Sequence, residues 1–479
     1  MYFKSRILVF GYGSVSQCFT PLLIKFLGIN PSAITIIDKE DKSKIINQHL
    51  SGVTFVQKIV DKTNFQEILH QFLQQGDILV DLGLNISTLE LLEWCNTSGV
   101  HFLNSALVSW NSDPIYALEN PQDSIFENTY LEIQKIIKSW SNKVTAVVTH
   151  GANPGLSAHF LKKGLCDIAA MMLQKELPDK KKKDLQSALE NHDYAKLCYL
   201  EGISVIHFSE YDAHLINKPK QINEFVNTWS VSALIQECLD LAQLGWGTHE
   251  KTMPKKYFNH KSLAQYIILP SRGLETYMYS WVPTGEIIGM VVPHEDIFEC
   301  TVKLSLYENK KLLYCPTICY VYRMCDAAII SLYELAARRY IPQDKWRIIS
   351  SEITDGYNQM GCLLMGHEFG AWWTGSTLTM DQTNSLVPGQ NACTMQVAAG
   401  LFAGFEFICK NPNAGVCFPF DLNYEELLAS AKPFLGTLLS EPVNWSPLAL
   451  ANVLRNYKQK PIAQEDQWQF TTFLHKEIS

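Results

Sequence analysis

The sequence predicts an α/β protein, with a doubly wound parallel sheet in its N-terminal part and a following α+β domain whose sheet is largely antiparallel. Up to about residue 150, short apolar runs alternate with helical patterns; beyond about residue 200, strand-like runs follow one another with few helices between them. A length of 479 residues also exceeds one ordinary core. We expect residues 1–155 and 156–385 to form two domains, and residues 386–479 to form a C-terminal helical segment that packs on the first.

The N-terminal strand, turn and helix have the pattern of a dinucleotide-binding unit of the Rossmann type. Residues 7–10 predict a buried strand, a glycine turn follows, and a helical pattern begins at Val15. Residues 33–37 predict the next strand, and Asp38 at its end would accept hydrogen bonds from ribose hydroxyls. The third small position of the motif holds Ser16, and the alternative is a glycine turn in another α/β sheet. The predicted cofactor-binding residues of this unit are Gly11, Tyr12, Gly13, Ser14, Val15 and Asp38.

Later strands are expected to contribute to the same crevice, because the carboxyl ends of parallel strands meet at one edge of a sheet. Residues 78–81, 100–103 and 144–148 predict such strands. Asp38 would repel a 2′-phosphate, so NAD is favoured over NADP, although Lys39, Lys42 and Lys44 lie close by in the sequence. The further predicted cofactor contacts are Asp81, Leu82, Asn85 and Ser105.

The second half has a different character. The run of lysines at 180–183 predicts a solvated helix face, and the stretch 391–409 predicts a buried helix that could return to the first domain. The other expected elements are helices at 171–194 and 327–339 and strands at 202–208, 266–268, 287–292, 302–306 and 317–322.

Composition excludes several classes of protein. With 47% hydrophobic and 18% charged residues, the chain is typical of a globular protein. A net charge of −8 disfavours nucleic acid as a partner and suits a cationic ligand. The 13 cysteines form no CxxC pair, so we expect reduced thiols, a cytoplasmic location and no metal site. The apolar stretch 393–409 contains Gln396 and Glu406, which favours a buried helix over a membrane span.

Carboxylates and an indole in the second half predict a site for alkylammonium groups. Glu210 and Asp212 follow a strand-like run, and Trp229 precedes a helix that carries Glu237 at the margin of its apolar face. Acids pair with a positive charge, and a ring face attracts it while packing against methylene groups. Taken singly, each of these residues is also explained by a solvated acid or an ordinary core ring.

The arginine distribution points away from acidic substrates. No arginine occurs between Arg6 and Arg272, across the region where a substrate should meet the cofactor. Dehydrogenases of amino or keto acids usually grip the carboxylate with a bidentate arginine, so this gap predicts a substrate without a carboxylate. His294 follows a strand and could transfer protons, and Asp355 ends an apolar run. Their plain alternatives are a structural histidine and an Asp-Gly turn.

Several segments together resemble the bacterial homospermidine synthases, a family of the saccharopine-dehydrogenase-like group. The segments are 145–155 (Thr-Ala-Val-Val-Thr-His-Gly-Ala-Asn-Pro-Gly), 227–230 with Glu237, 293–295 and 389–392. The resemblance extends from the glycine turn to about residue 440, and residues 150–155 are far more specific than the glycine turn itself.

This resemblance implies a homodimeric, redox-neutral transferase with bound NAD. A hydride leaves the amine-bearing carbon of putrescine, a second putrescine captures the imine with loss of ammonia, and the hydride returns to give homospermidine. Spermidine can also serve as an aminobutyl donor. The roles implied are cofactor contacts for Asn153 and Pro154, holding of the cationic intermediate by Trp229, amine anchoring by Glu210 and Glu237, and substrate orientation and proton transfer by His294 and Asp355.

The chain departs from this family at two places. Members carry a carboxylate where this chain has Val108-Ser109, and a second acid where it has Asn358-Gln359, which affects amine entry and substrate preference. Two other interpretations stay open. A carboxylate-handling oxidoreductase, such as a saccharopine or carboxynorspermidine dehydrogenase, would change NAD(P)H absorbance stoichiometrically. A non-catalytic regulator would bind NAD without converting putrescine.

Overall fold

The computed structural model describes residues 5–110, 125–141, 144–260, 263, 265–448 and 462–475. Its strands, in chain order, are Ile7–Phe10 (β1), Ile34–Asp38 (β2), Thr54–Gln57 (β3), Ile78–Asp81 (β4), His101–Asn104 (β5), Ala146–Val147 (β6), Val205–Asp212 (β7), Leu215–Ile216 (β8), Glu224–Asn227 (β9), Leu241–Gly245 (β10), Phe258–Asn259 (β11), Tyr266–Arg272 (β12), Tyr277–Val282 (β13), Gly285–Val292 (β14), Leu306–Glu308 (β15), Lys311–Tyr314 (β16), Thr317–Arg323 (β17), Lys345–Ile348 (β18), Ile353–Asp355 (β19), Tyr357–Met365 (β20), Ala371–Thr379 (β21), Val416–Cys417 (β22) and Thr437–Val443 (β23).

Its α-helices are Ser14–Leu27 (α1), Ser43–His49 (α2), Phe65–Phe72 (α3), Thr88–Ser98 (α4), Ile125–Ile136 (α5), Leu156–Met172 (α6), Asp179–Glu190 (α7), Tyr194–Glu201 (α8), Val231–Leu239 (α9), Glu295–Leu304 (α10), Asp326–Ala337 (α11), Met380–Leu386 (α12), Ala392–Lys410 (α13), Tyr424–Ala431 (α14) and Phe470–Phe473 (α15).

The first sheet has the predicted doubly wound architecture. Its seven strands run in the order β22-β6-β5-β4-β1-β2-β3, and each described pairing is parallel. The strand order reverses at β1, which lies between β4 and β2. In open α/β sheets, ligands bind outside the carboxyl ends of the strands at such a switch point. The crevice beyond β1 and β4 is therefore where a cofactor is expected.

The second sheet is largely antiparallel, as predicted. It contains ten strands in the order β11-β12-β10-β17-β7-β20-β21-β23, with β14 pairing both β13 and β17. Among its described pairings, β7 with β17 is the parallel one. Side chains alternate along β7: Ile206 and Phe208 join the apolar core that contains the first sheet, whereas Val205 joins a separate cluster with Phe470 and Phe473. Glu210, two residues after Phe208, therefore faces the first sheet.

Some element predictions are wrong. The expected helix at 171–194 is two helices, because α6 ends at Met172 and α7 begins directly after Pro178, whose ring cannot continue a helix. In the expected strand at 302–306, residues 302–304 are instead the end of α10, and β15 begins only at Leu306. Ile297, Cys300 and Leu304 are buried at a helical spacing, which the β-branched residues nearby concealed. Strands β20 and β21 had not been predicted.

Residues 386–479 are divided between the two sheets. Helix α13 packs against α1, and β22 extends the first sheet. Strand β23, in contrast, pairs with β21 at the edge of the second sheet, and α15 packs on the second sheet's outer cluster. The prediction of a helical segment on the first domain therefore does not hold beyond about residue 436, because strand pairing with β21 governs that stretch. The domain boundary near residue 155 stays a prediction.

Within the described residues, one helix, Ala392–Lys410, is long and apolar enough to cross a membrane. Of its most apolar stretch, 78% is buried inside the protein. Gly400 in this helix lies so close to the loop after β6 that a methyl group on it would be 2.0 Å from the carbonyl oxygen of Gly151. Its apolar surface is thus covered by protein, as in a core helix.

Candidate active site

The turn between β1 and α1 allows a ligand to approach the backbone. Gly11 has a φ of 84°, in the left-handed region that favours glycine, and a methyl group on it would lie 2.7 Å from the carbonyl oxygen of Leu82. Gly13 precedes α1 without a side-chain cap, and a methyl group on it would meet nothing within 4 Å. Ser14 and Val15 begin the helix. Its first N–H groups therefore lie at an open position of the kind that binds phosphates.

Asp38 stands at the end of β2 and holds the glycine turn. Its Oδ2 accepts a hydrogen bond from the N–H of Tyr12 at 2.6 Å, and its Oδ1 accepts one from the N–H of Glu40 at 2.8 Å. A carboxylate oxygen has two lone pairs, so one on each oxygen stays available for ribose hydroxyls. The structure brings the predicted residues of this turn together, and their contact with a cofactor stays a prediction.

The other predicted cofactor residues lie along the same edge of the sheet. Asp81 is buried, accepts the N–H of Gly83 at 3.0 Å, and has its pKa raised to about 7 by burial. Leu82 and Ser105 are half-buried, and Asn85 is exposed. A methyl group on Gly151 would lie 3.3 Å from Cβ of Ser105, so Ser105 adjoins the loop that follows β6. Asp81 thus holds the backbone at Gly83, while the contact of the other three residues with a cofactor stays a prediction.

Gly13→Ala is expected to weaken NAD binding about tenfold or more without lowering the melting temperature. The backbone at Gly13 suits alanine and the methyl group meets no protein atom, but it would occupy the space in front of the helix N-terminus. Gly28→Ala at the other end of α1 is the matched control: its φ of 65° makes alanine strained, by about 1 kcal/mol, away from the crevice. Calorimetric titration and thermal unfolding separate the two effects. Unchanged NAD affinity in Gly13→Ala would contradict a pyrophosphate site here.

The loop after β6 connects the two sheets at Asn153. Its Nδ2 donates a hydrogen bond to Oε2 of Glu210 at 3.3 Å, and its Oδ1 is buried without a partner among the described residues. Pro154 follows through a cis peptide bond and is buried. Glu210 lies on the second sheet, so this contact joins a predicted cofactor residue to a predicted amine residue at the junction of the two sheets. The region around this junction is called the cleft below.

Glu210 is held by neutral donors alone among the described residues. Its Oε2 also accepts the hydroxyl of Tyr320 at 2.6 Å, and its Oε1 accepts Nδ2 of Asn358 at 2.7 Å. The same Nδ2 donates to Oε1 of Gln396 at 2.6 Å, which leaves Oδ1 of Asn358 buried without a partner. Burial raises the pKa of Glu210, opposed by the hydrogen bonds that it accepts.

Trp229 joins this group through two tyrosines. Strands β7 and β17 are parallel neighbours, and Phe208 and Glu210 pair in register with Tyr320 and Tyr322, which therefore lie on the same face. The two tyrosine rings stack with centroids 5.8 Å apart, and the indole N–H of Trp229 donates to the hydroxyl of Tyr322 at 3.0 Å. Trp229 itself is half-buried.

His294 forms the other wall. Its ring meets Tyr320 edge to face at 4.9 Å between centroids, and its Nδ1 lies 3.2 Å from Oδ1 of Asp296. Burial alone would lower the pKa of His294, but Asp296, Glu295 and Glu237 raise it to about 9. Its ring is therefore protonated at neutral pH, and Nε2 has no hydrogen-bond partner in the described part of the chain.

Leu107 and Ser157 hold the two acids after His294. Oε1 of Glu295 accepts the N–H of Leu107 at 2.9 Å, and Oδ2 of Asp296 accepts the hydroxyl of Ser157 at 2.6 Å. Burial raises the pKa of Glu295, with His294 acting in the opposite direction. These acids close the cleft from the side of the first sheet.

Glu237 lies on α9, which Ser230 caps. Burial, together with the charges of Glu295, Asp240 and Glu210, raises its pKa to about 8, although His294 lowers it. None of the four carboxylates Glu210, Glu237, Glu295 and Asp296 forms an ion pair with lysine or arginine among the described residues. Protonated His294 is the cationic neighbour of Glu295 and Asp296, at 3.6 and 3.2 Å. Glu210 and Glu237 have no ion-pair partner among the described residues, which is typical of a site that receives its positive charge from a ligand.

Asp355 is the predicted site residue that the structure does not join to this group. It is exposed, ends β19 and accepts the N–H of Gly356 at 2.7 Å, with no hydrogen bond to another predicted site residue. Sequence reasoning missed Tyr320, Tyr322 and Glu295 as site residues, and treated Asn358 only as a departure from the family pattern. The alternation of Tyr320 and Tyr322 in β17 was a visible signal, but the pairing of β17 with β7 was not.

Comparisons with known proteins agree with this geometry. Residues 7–147 match the saccharopine dehydrogenase NADP binding domain, and residues 151–441 match the saccharopine dehydrogenase C-terminal domain. The chain is 30% identical to a homospermidine synthase of Mesorhizobium japonicum, over 98% of this chain and 96% of that one. It is 31% identical to a homospermidine synthase of Blastochloris viridis, over 98% and 97%.

Among solved structures, too, a homospermidine synthase is similar to this chain. The crystal structure of a homospermidine synthase from Legionella pneumophila in complex with NAD has a TM-score of 0.88 and 32% identity, and covers 99% of this chain and 98% of that chain. Saccharopine dehydrogenase from Saccharomyces cerevisiae shares the fold, with a TM-score of 0.51 at 10% identity over 92% of this chain and all of that one. The chain therefore belongs to the homospermidine synthase family of saccharopine-dehydrogenase-like proteins.

Proposed function

We propose that this protein is an NAD-dependent homospermidine synthase. Two molecules of putrescine give one homospermidine and one ammonia. The first diamine loses a hydride and a proton to become an imine, the amine of the second adds with loss of ammonia, and the resulting C=N bond is reduced. Bound NAD accepts the hydride in the first step and supplies it in the last, so no net oxidation occurs.

The observation that carries this proposal is the set of acceptors around Glu210. A primary ammonium group has three N–H donors. Beside the Glu210 carboxylate, the amide oxygens of Asn153 and Asn358 are both buried without partners, while their nitrogens are fixed on Glu210. One charged acceptor and two unpartnered amide oxygens thus belong to residues that are hydrogen-bonded to one another where the two sheets meet. They suit an amine, whereas a carboxylate ligand would bring a second negative charge beside Glu210.

The amine beside Glu210 must lose a proton before a hydride leaves the carbon atom that bears this amine. Burial makes Glu210 a stronger base than a carboxylate in water, so it can take that proton. At the other wall, protonated His294 can deliver a proton from Nε2 to the departing ammonia. Glu237 and the acids after His294 hold the distant ammonium group, and the indole of Trp229 stabilises the cationic intermediate.

The residues of the glycine turn fit NAD. The position in front of α1 accepts the pyrophosphate, and Asp38 has lone pairs for both ribose hydroxyls and repels a 2′-phosphate. The Legionella relative was crystallised with NAD. Putrescine-type polyamines are the substrates, a homodimer is the functional assembly, and the cytoplasm is the location that we infer for the enzyme.

The test is to incubate the purified protein with putrescine and a catalytic amount of NAD. Homospermidine and ammonia, detected by mass spectrometry and an ammonia assay, are expected in equal amounts with no net change in absorbance at the NADH band. Stoichiometric NADH formation would instead indicate a dehydrogenase of the saccharopine type. Tight NAD binding with no product would indicate a regulator.

Trp229→Ala is expected to lower kcat/KM for putrescine about tenfold to a hundredfold while NAD affinity stays unchanged. The indole borders the amine side of the cleft, and its hydrogen bond goes to Tyr322 and not to the glycine turn. Trp229→Phe keeps a ring face but loses that hydrogen bond, and should fall between the wild type and the alanine variant. Steady-state kinetics and calorimetry give the two quantities. Loss of NAD binding in a folded Trp229→Ala protein would count against this placement.

A further inference from the structure

A closed ring of buried hydrogen bonds lies behind Trp229. Asp212 ends β7, has no exposed surface, and accepts Nδ1 of His214 at 2.5 Å and the hydroxyl of Thr228. The backbone N–H of Ala392 donates to Nε2 of His214 at 3.2 Å. Nδ2 of Asn391 donates to the carbonyl oxygen of Thr228 at 2.7 Å. The ring thus connects β7, the segment before α9 and the N-terminus of α13.

The hydrogen bonds determine which atoms carry protons. A backbone N–H only donates, so Nε2 of His214 must accept, and the ring proton sits on Nδ1 and points at Asp212. The histidine is therefore neutral and the aspartate ionised. Burial would raise the pKa of Asp212, but the hydrogen bonds that it accepts from His214 and Thr228 act in the opposite direction, and it lies below its ordinary value.

Asp212 shares a face of β7 with Glu210, yet it is not placed to bind an amine. Its two oxygens already accept the His214 ring, the His214 backbone N–H at 3.2 Å and the Thr228 hydroxyl. Through Thr228, Asp212 holds the backbone directly before Trp229. The carbonyl oxygen of Trp229 accepts a hydrogen bond from Nδ2 of Asn227 at 3.3 Å. Hydrogen bonds therefore fix the chain on both sides of the indole.

We propose that Asp212, His214 and Thr228 are positioning residues for Trp229: the ionised aspartate and neutral histidine fix the indole at the amine side of the cleft. This inference rests on the proposed function, because it takes Trp229 to contact the substrate. A buried ion pair or a buried network of polar groups rarely stabilises the fold by itself, because apolar side chains of the same volume stabilise it at least as much. Holding one conformation of the segment is the role that its closed geometry supports.

Thr228→Val removes the hydroxyl and keeps the shape. It is expected to raise KM for putrescine about tenfold, with kcat changed less than about threefold and NAD affinity unchanged. Thr228→Ser keeps the hydroxyl and should recover most of the wild-type KM. The decisive measurement repeats Thr228→Val in a Trp229→Ala background. If the ring of hydrogen bonds acts through the indole, Thr228→Val changes KM by less than about twofold in the Trp229→Ala background.

An effect on KM of the same size in both backgrounds, or no effect in either, would overturn the proposal. If Thr228→Val does not fold, His214→Asn replaces it, because the amide N–H can still reach Asp212 while the acceptor for Ala392 is lost. If the wild type forms no homospermidine, the proposed function fails by itself. The same cycle is then measured as putrescine dissociation constants by calorimetry, so the positioning proposal is still tested.

Discussion

Glu237→Gln is expected to lower kcat/KM for putrescine about 30- to 100-fold near pH 8, with NAD affinity unchanged. The carboxylate lies among Glu295, Asp240 and Glu210, with no lysine or arginine paired to it among the described residues. Its charge-assisted contact with an ammonium group is worth about 2–3 kcal/mol. Glu308→Gln, at an exposed position of β15, is the control and should match the wild type.

The pH dependence of this variant gives a second measurement. Because the pKa of Glu237 is raised to about 8, the empty site holds a proton on it below that pH, and amine binding must release that proton. The kcat/KM of the wild type should therefore rise by up to about tenfold per pH unit from pH 6 to 8 and then level off. In Glu237→Gln this rise should disappear. A variant with the wild-type pH profile would show that another group controls amine binding.

The raised pKa of Glu237 has the opposite effect on the stability of the fold: kcat/KM rises with pH, whereas the free energy of unfolding falls. Between the ordinary carboxyl pKa of 4.5 and the folded value of about 8, the native state binds more protons than the unfolded state, so the free energy of unfolding falls as pH rises through that window. Without substrate, Glu237→Gln should be the more stable protein at pH 8, by up to about 4 kcal/mol, and nearly equal to the wild type at pH 4. Denaturant unfolding at the two pH values checks the sign.

Glu210→Gln is expected to reduce kcat about a thousandfold or more while leaving NAD bound. Three donors, from Asn153, Tyr320 and Asn358, point at the carboxylate. A glutamine at this position has no negative charge and cannot act as the base. Its NH₂ group would also face donors from which it cannot accept a hydrogen bond. The matched control is Glu201→Gln, at another buried carboxyl whose pKa burial raises well above its ordinary range, remote from the cleft in α8.

Single-turnover kinetics separate the two functions of Glu210. If it is both anchor and base, the rate of imine formation falls more than putrescine affinity does, and raising the pH recovers part of the rate. Equal loss in Glu201→Gln would point to a general effect of buried carboxyls. A Glu210→Gln enzyme with nearly normal turnover would remove Glu210 from the mechanism.

The N-terminal unit could be predicted well because its signals are local. A buried strand, a glycine turn, a helix and Asp38 follow one another within about thirty residues, and the spacing alone indicates how they fold. The amine side was harder. Glu210, Trp229 and His294 were named, but each carried an equally good structural explanation until strand pairing placed them around one cleft.

Asp355 and Asn358 show why the amine side was harder to predict from the sequence than the N-terminal unit. Both lie near the start of β20, and the carboxylate drew attention because acids suit an amine site. The structure shows Asp355 exposed in β19, whereas Asn358 pairs with Asp212 across β20 and β7 and donates to Glu210. Strand register decides this, because a shift of one residue turns a side chain to the opposite face of a sheet.

The sequence by itself determined the fold class, the cofactor turn and the family, because these depend on local patterns and on motifs that are contiguous in the chain. Only the tertiary structure decided which groups meet around Glu210, which oxygens lack partners among the described residues and which acid is instead bound to His214. Those properties arise between β7, β17, β20 and α13, whose residues lie far apart in sequence and meet only when the two sheets pack together.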